Sequence, residues 1–106
     1  MNEQLNMQEL TDKIRTWAIV RGLDGADPTK QMLKLFEEVG EIASGMARND
    51  IAEVKDGIGD AMVVLNILAT QIDSSIEECT QLAYDEIKNR RGKMINGVFV
   101  KEADLV

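Results

Sequence analysis

Apolar residues recur every three or four positions along four stretches of this 106-residue chain, which is the spacing of a buried helix face. Three stretches open with a capping-box pattern, in which Asn6, Asp50 or Ser74 is followed three positions later by glutamate. The second stretch opens at Asp27, with Pro28 in the first helical position, where proline is tolerated. The pattern predicts four helices, over roughly residues 7–21, 28–47, 51–72 and 75–91.

Two of these helices carry apolar stripes that we expect to form the core. On the first helix the stripe comprises Leu10, Ile14, Trp17 and Ala18. On the second helix it comprises Met32, Leu35, Phe36, Val39, Ala43 and Met46.

Beyond the fourth helix, Asn96–Gly97 is a turn signal and residues 98–100 favour a short extended segment. The predicted fold is all-α: an antiparallel bundle of about four helices with a short irregular C-terminal tail, in one domain over residues 1–106. A chain this small buries only about two-thirds of the surface that its unfolded form exposes. We therefore expect self-association, as a homodimer or a homotetramer.

Charge and composition exclude several classes of function. The net charge of -7 opposes binding to duplex nucleic acid. The chain contains no histidine and one cysteine, Cys79, which excludes imidazole catalysis, an intrachain disulfide and most zinc sites. No apolar run approaches the length of a membrane span and the N-terminus lacks a signal-peptide pattern, so we expect a cytoplasmic protein without a membrane partner.

Acidic side chains form pairs on two of the predicted helices. Glu38 and Glu41 are three residues apart, Asp56 and Asp60 are four apart, and each pair shares a helix face, with Glu37 at the edge of the first. Carboxylate ligands without nitrogen or sulfur suit Mg²⁺, with Mn²⁺ as a substitute. The pattern indicates a metal site that handles phosphate groups.

The alternative is that these acids are solvated, as most helical glutamates are. Two features favour a site. Asp60 directly precedes a strongly apolar segment, where a carboxylate needs a partner. Gly40, Gly57 and Gly59 lie inside the helices beside the acids, where each glycine costs about 1 kcal/mol relative to alanine. Close approach of a helix or ligand accounts for that cost, although a break of the third helix near Gly57 also does.

Several further residues have both a structural and a substrate-binding interpretation. Trp17 is either a core residue or a surface on which a base stacks. Basic side chains are either solvated or contact phosphates; those considered for phosphate contact are Lys30, Lys34, Arg90, Arg91 and Lys93. Glu53 is a ligand candidate ranked below Asp56, because its capping-box position already gives it a structural role.

Residues 35–42 (LFEEVGEI) and 58–65 (IGDAMVVL) resemble the MazG-like nucleoside triphosphate pyrophosphohydrolases. The pattern of that family is Glu-Glu-x-x-Glu, a spacer, then Glu-x-x-Asp, on two helices of an all-α bundle. Residues 21–31 and the tail segment 87–99 resemble small phage-type members. The resemblance assigns Glu38, Glu41 and Asp60 to the motif. It departs at Gly57, where the family has glutamate, and Asp56 is the predicted substitute on the same helical face.

The resemblance implies Mg²⁺-dependent cleavage of a (deoxy)nucleoside triphosphate between its α and β phosphates, giving the monophosphate and pyrophosphate, a reaction suited to nucleotide-pool housecleaning. In this reading Glu38, Glu41, Asp56 and Asp60 hold the metal, and Glu37, Glu38 and Glu41 form the catalytic set, with Glu37 or Glu41 orienting the water. Two alternatives stay open: a phosphoribosyl-ATP pyrophosphatase, and a non-catalytic helical dimerisation or metal-binding module.

Overall fold

The computed structural model describes residues 3–105, and within them the chain forms four α-helices and one β-hairpin. The helices are α1 (Met7–Val20), α2 (Pro28–Ala47), α3 (Ile51–Gln71) and α4 (Ile76–Ile87). The hairpin pairs β1 (Gly92–Ile95) with β2 (Val98–Lys101), and short 3₁₀ turns cover Leu23–Gly25 and Glu102–Asp104. The predicted all-α class is confirmed. Across residues 3–105, no helix combines the length and apolarity that crossing a bilayer requires.

The chain divides into two compact units, one ending at Ile76 and one beginning at Glu77, and each is described by itself. The first unit contains α1, α2 and α3. The second contains α4 apart from its first residue, the hairpin and the last 3₁₀ turn. Self-association and the assignment of residues 1–106 to one domain stay predictions.

Side chains cap the first three helices where the sequence predicted. The Asn6 Oδ1 atom accepts from the Glu9 amide at 2.8 Å, and the Glu9 carboxylate accepts from the Asn6 amide, which completes the capping box. The Asp27 side chain accepts from the Thr29 amide at the start of α2. The Asp50 side chain accepts from the Glu53 amide at the start of α3. These local bonds explain why the helix starts are readable from sequence.

The predicted end of the fourth helix near Arg91 is wrong, because α4 ends at Ile87. The chain turns at residues 88–89 into the hairpin, where Gly92 pairs with Lys101. A Cβ atom on Gly92 would collide with the Val100 carbonyl oxygen and the Phe99 ring. The tail is therefore an ordered hairpin followed by a 3₁₀ turn, and not irregular as predicted.

The hairpin confirms the turn at Asn96–Gly97 that the sequence predicted for this tail. Asn96 and Gly97 have φ angles of 51° and 80°, and they form the two-residue turn that joins the strands. Both central residues of such a turn need positive φ, a conformation that asparagine and glycine tolerate best. The predicted turn and the extended segment after it are both present.

Helices α2 and α3 form an antiparallel pair joined by the turn at residues 48–50. Gly45 lies against Val54, and Gly57 lies against Ile42. A Cβ atom on Gly45 would come within 3.0 Å of Val54 Cγ2. Helix α3 continues through Gly57 without a break, so the close approach of two helices accounts for the glycine.

The predicted core stripe of α2 is wrong in its orientation. Phe36, Val39 and Met46 are 67%, 52% and 61% exposed, whereas Glu38 and Gly45 are buried. Helix α2 has apolar residues on more than one side. The side that packs against α3 is the one with Gly45, because the contacts of Gly45 and Gly57 bring the two helices close together there. On α1, Ala18 is buried as predicted, but Leu10 and Trp17 are more than one-third exposed.

Helix α1 and the first 3₁₀ turn are held against α3 by two side-chain amides. Asn66 is fully buried, and its Nδ2 atom donates to the Thr11 carbonyl oxygen at 3.1 Å. The Gln71 Nε2 atom donates to the Leu23 carbonyl oxygen at 2.9 Å. Val64, Ile67 and Ala69 supply the apolar core of α3. This packing places α1 and α2 on different sides of α3.

Candidate metal centre

Three carboxylates from α2 and α3 come together in the first unit. Glu38 and Glu41 lie one turn apart on α2, and Asp60 lies on the facing helix. Each residue offers one carboxylate oxygen, and the three oxygens all lie within 4.8 Å of one another. The antiparallel register explains why these carboxylates are close. Gly45 faces Val54 and Ile42 faces Gly57, so the preceding turn of α2, with Glu38, lies beside Asp60. We call Glu38, Glu41 and Asp60 the carboxylate cluster.

The Glu38 carboxylate is buried, which is unusual for an acidic side chain. Its Oε2 atom has no hydrogen-bond partner among the described residues. Burial raises the pKa of Glu38 above its ordinary value of 4.5, and the charges of Glu41 and Asp60 and a hydrogen bond with Glu41 raise it further. Lys34, one turn earlier on α2, opposes this shift. A carboxylate that is buried and repelled by neighbouring negative charges is stabilised by a bound cation.

The donor set fits a hard divalent cation. Mg²⁺ binds oxygen ligands at about 2.0–2.1 Å in octahedral geometry, so ligand oxygens lie about 3–4 Å apart. The three carboxylate oxygens, all within 4.8 Å of one another, approach that spacing, and the Glu38 Oε2 atom has no hydrogen-bond partner among the described residues. Glu41 is exposed and Asp60 half-buried, so the cluster is accessible from solvent. Such a site suits Mg²⁺ held by few carboxylates and completed by substrate.

The structure does not bring Asp56, the predicted fourth ligand, into this cluster. Asp56 is exposed, one turn before Asp60 on α3. Glu53, the other ligand candidate, forms an ion pair with Arg48 across the α2–α3 turn. Its backbone amide also donates to Asp50, so its position has a structural explanation. Glu37 is exposed beside the buried Glu38.

Position 57, where the resemblance expects glutamate, holds a buried glycine in this chain. Gly57 is buried where α3 crosses α2, and a Cβ atom there would lie 2.7 Å from Ile42 Cγ1 and 3.7 Å from the Glu38 carbonyl oxygen. A carboxylate at this position would have to displace Ile42. In this chain position 57 therefore serves helix packing and not metal binding.

The predicted phosphate-binding side chains lie in two places. Lys30 and Lys34 are exposed on α2, and Lys34 acts electrostatically on Glu38. Arg90, Arg91 and Lys93 are exposed in the second unit, before and within β1. Lys34 is thus the basic residue that the structure connects to the carboxylate cluster.

Trp17 does not enter the core but lines a cavity of about 400 Å³ between α1 and α3. The other lining residues are Leu10, Lys13, Ile14 and Val63. Sequence reasoning missed Lys13 and Val63. The signal for Lys13 was its position four residues before Trp17, which places the two side chains on one helix face. Val63 carries no local signal, because it is separated from α1 by about fifty residues in the chain.

Comparison with protein-family models matches residues 26–95 to the MazG nucleotide pyrophosphohydrolase domain. Among curated proteins, the chain is 46% identical over 76 residues to an uncharacterized 18.2 kDa protein in the rep-hol intergenic region of Haemophilus phage HP1. The match covers 69% of this chain and 47% of the phage protein, so the chain spans about half the length of that relative. No solved structure gives a significant match.

Proposed function

The chain belongs to the MazG nucleotide pyrophosphohydrolase family, and we propose that it hydrolyses nucleoside triphosphates to the monophosphate and pyrophosphate in a reaction that requires Mg²⁺. The carboxylate cluster carries this proposal. Its three oxygens lie within 4.8 Å of one another, and one of its members is a buried carboxylate with an unpartnered oxygen. A solvated set of surface acids would not include such a group.

In the proposed site Glu38, Glu41 and Asp60 would hold Mg²⁺, which when bound would supply positive charge to neutralise the triphosphate and polarise phosphoryl oxygens. A water molecule would attack the α-phosphorus and lose a proton to solvent, the bond from this phosphorus to the bridging α–β oxygen would break, and pyrophosphate would leave. The exposed carboxylates of Glu37 and Glu41 are the candidates to accept a hydrogen bond from that water and orient it.

Basic side chains complete the proposed substrate site. Lys34 lies one turn from Glu38, so its ammonium can reach a phosphate bound at the cluster, and Lys30 lies one turn further along the same helix. Phosphate contact by Arg90, Arg91 and Lys93, which belong to the second unit, stays a prediction from the sequence. Their exposed guanidinium and ammonium groups suit that role, which alanine variants at each position test through KM.

The direct test is release of pyrophosphate from deoxynucleoside triphosphates by the purified protein, with Mg²⁺ and without it. Glu38→Gln and Asp60→Asn keep the side-chain shapes but remove a charge, and we expect each to lower kcat/KM by about a hundredfold or more. Glu86→Gln, which changes an exposed carboxylate on α4, is the matched control. Equal activity of the wild type and both cluster variants would disprove the site assignment.

Assays on the same purified protein distinguish the proposed function from two alternatives. A phosphoribosyl-ATP pyrophosphatase would cleave that substrate with a much higher kcat/KM than free triphosphates. A non-catalytic helical module would release no pyrophosphate from either substrate. In calorimetric titrations it would also show no coupling between Mg²⁺ and a non-hydrolysable nucleotide, whereas the proposed enzyme binds the two cooperatively.

A further inference from the structure

Gly57 lies against the turn of α2 that carries two of the three carboxylates. A Cβ atom on Gly57 would lie 3.5 Å from the Ile42 backbone nitrogen and 3.7 Å from the Glu38 carbonyl oxygen. In an α-helix these two atoms belong to one hydrogen bond, which joins residue i to residue i−4. Gly57 therefore lies beside the backbone of the turn from Glu38 to Ile42, which also holds Glu41.

The same contact is close to the third carboxylate. Asp60 follows Gly57 by three residues on α3, a rise of roughly 4.5 Å along the helix axis. Gly57 contributes no side chain between the helices, and a Cβ atom there would lie 2.7 Å from Ile42 Cγ1. A change in helix separation at Gly57 therefore changes the distance from Asp60 to Glu38 and Glu41 as well.

The carboxylate cluster is confined enough for this distance to matter. Its three oxygens lie within 4.8 Å of one another. Glu38 is only 7% exposed, and its Oε2 atom has no hydrogen-bond partner among the described residues. Because a buried side chain has little room to change its rotamer, Glu38 cannot follow a movement of α3 as an exposed side chain would.

The size of the cation makes the spacing of the oxygens selective. Mg²⁺ takes oxygen ligands at about 2.0–2.1 Å in near-octahedral geometry, whereas Ca²⁺ takes them at about 2.3–2.6 Å in a flexible geometry. Ligand oxygens therefore lie closer together around Mg²⁺ than around Ca²⁺. Carboxylates that closely packed helices hold together favour the smaller ion, and carboxylates that move apart favour the larger one.

We propose that the contact between Gly57 and Ile42 determines which cation the site prefers. It keeps α3 close to α2, so that the carboxylate cluster favours Mg²⁺ over Ca²⁺. Gly57 and Ile42 are positioning residues, because neither has a side-chain ligand atom. The inference rests on the proposed function for the metal site itself, but its test needs no turnover. It also gives a role to the glycine at the position where the resemblance expects glutamate.

The test compares two cations on the purified protein without nucleotide. Mn²⁺ is added first, and its binding is followed by the loss of the electron paramagnetic resonance signal of free Mn²⁺. Mg²⁺ or Ca²⁺ is then titrated to displace it, and the ratio of the two displacement constants measures the preference. Asp60→Asn should lose Mn²⁺ binding, which assigns the signal to the carboxylate cluster.

Gly57→Ala should shift this ratio toward Ca²⁺ by about tenfold, because the added methyl group separates the helices beside the carboxylates. Gly45→Ala is the matched control. It adds a methyl group between the same helices, 3.0 Å from Val54 Cγ2, but Val54 precedes Asp60 by six residues, a rise of roughly 9 Å. This variant should also lose stability, yet leave the ratio within about twofold of the wild type.

A double variant tests the contact itself. In Gly57→Ala with Ile42→Ala, the Cγ1 atom is gone and the nearest backbone atoms lie at 3.5 and 3.7 Å, which are ordinary contact distances for a methyl group. The helices then keep their separation, so the ratio should return to within about twofold of the wild type, although stability falls further. If Gly57→Ala does not fold by circular dichroism, Gly57→Ala with Ile42→Val replaces it. The valine lacks the terminal methyl group, so this variant should fold and show a smaller shift toward Ca²⁺.

The outcomes separate this inference from the proposed activity. An unchanged ratio in Gly57→Ala, or an equal shift in Gly45→Ala, would overturn the inference and leave the pyrophosphohydrolase intact. Mn²⁺ binding that persists in Asp60→Asn would place the cation elsewhere and overturn it too. A shift in Gly57→Ala that the double variant reverses, in a protein that releases no pyrophosphate from any triphosphate, would support the inference and overturn the proposed function.

Discussion

Gly57 of α3 packs directly against Ile42 of α2, and a Cβ atom at position 57 would lie only 2.7 Å from the Ile42 Cγ1 atom. A side chain at position 57 would therefore require Ile42 or one of the two helices to shift. Because Asp60 follows Gly57 by three residues and Glu38 precedes Ile42 by four, the same contact sets the separation of their carboxylates. Helix packing and the candidate metal centre are thus coupled through one glycine.

Gly57→Ala should be destabilising. The added methyl group must displace Ile42 or separate the helices, and overpacking of this kind costs about 1–3 kcal/mol. Gly59→Ala is the matched control, because a Cβ atom there meets nothing within 4 Å and alanine favours helix by about 1 kcal/mol. In urea unfolding followed by circular dichroism, the midpoint should be lower than that of the wild type for Gly57→Ala and higher for Gly59→Ala. Equal midpoints would show that the contact does not limit helix separation.

Asp56→Asn tests which carboxylates form the site. Asp56 lies outside the carboxylate cluster, so we expect its loss to reduce Mg²⁺ affinity and kcat/KM no more than a few-fold, whereas Asp60→Asn should reduce both by about a hundredfold. Glu53→Gln removes the ion pair with Arg48 and should change stability by less than about 1 kcal/mol, without affecting Mg²⁺ binding. Calorimetric Mg²⁺ titration of the three variants measures the Mg²⁺ affinities directly. A loss in Asp56→Asn as large as in Asp60→Asn would restore Asp56 as a ligand.

The raised pKa of Glu38 predicts how stability depends on pH in the metal-free protein. Folding favours the protonated carboxyl, so the contribution of Glu38 is fully present below about pH 4.5 and is lost as pH rises through its raised pKa. Glu38→Gln cannot ionise and should keep that contribution. The thermal midpoint of the variant, measured in EDTA, should therefore exceed the wild-type midpoint at pH 7, with the difference shrinking toward pH 4. A wild-type midpoint above that of the variant at pH 7 would contradict the repulsion of Glu38 by Glu41 and Asp60.

Magnesium should reverse this order at pH 7. A cation held by the carboxylate cluster stabilises the folded protein by about 2.7 kcal/mol when its concentration is one hundred times its dissociation constant. The wild-type thermal midpoint should rise with Mg²⁺ concentration, and that of Glu38→Gln should rise much less. Glu86→Gln should respond as the wild type does. An equal response of wild type and Glu38→Gln would place the cation elsewhere.

The exposed α2 stripe, formed by Met32, Phe36, Val39 and Met46, predicts self-association. These side chains are 38–67% exposed at spacings of four, three and seven residues, which suits the packing of another helix. We expect a homodimer or homotetramer that loses subunits in Phe36→Glu, measured by analytical ultracentrifugation. Thr16→Glu adds the same charge at an exposed polar position of α1 and should leave the mass unchanged. A monomeric wild type at micromolar concentration would contradict the prediction.

The sequence by itself determined the helices, the hairpin turn and the acidic pairs, because each depends on residues within about one helical turn of one another. Asn6 caps α1, Asn96 and Gly97 make the turn, and Glu38 and Glu41 share a face wherever α2 packs. Such local signals need no knowledge of neighbours in space. The predicted end of α4 failed because the competing hairpin depends on pairing between separate segments.

The tertiary structure alone decided which side of α2 is buried and which carboxylates meet. Helix α2 is apolar on more than one side, so its pattern did not distinguish the exposed α2 stripe from the side with Gly45 that packs on α3. Asp56 and Asp60 share one face of α3, but of the two it is Asp60 that joins Glu38 and Glu41 in the carboxylate cluster. The cavity of Lys13, Trp17 and Val63 likewise unites residues far apart in the chain. Each of these outcomes depends on the distance between helices, which the glycine contacts set and which no local pattern encodes.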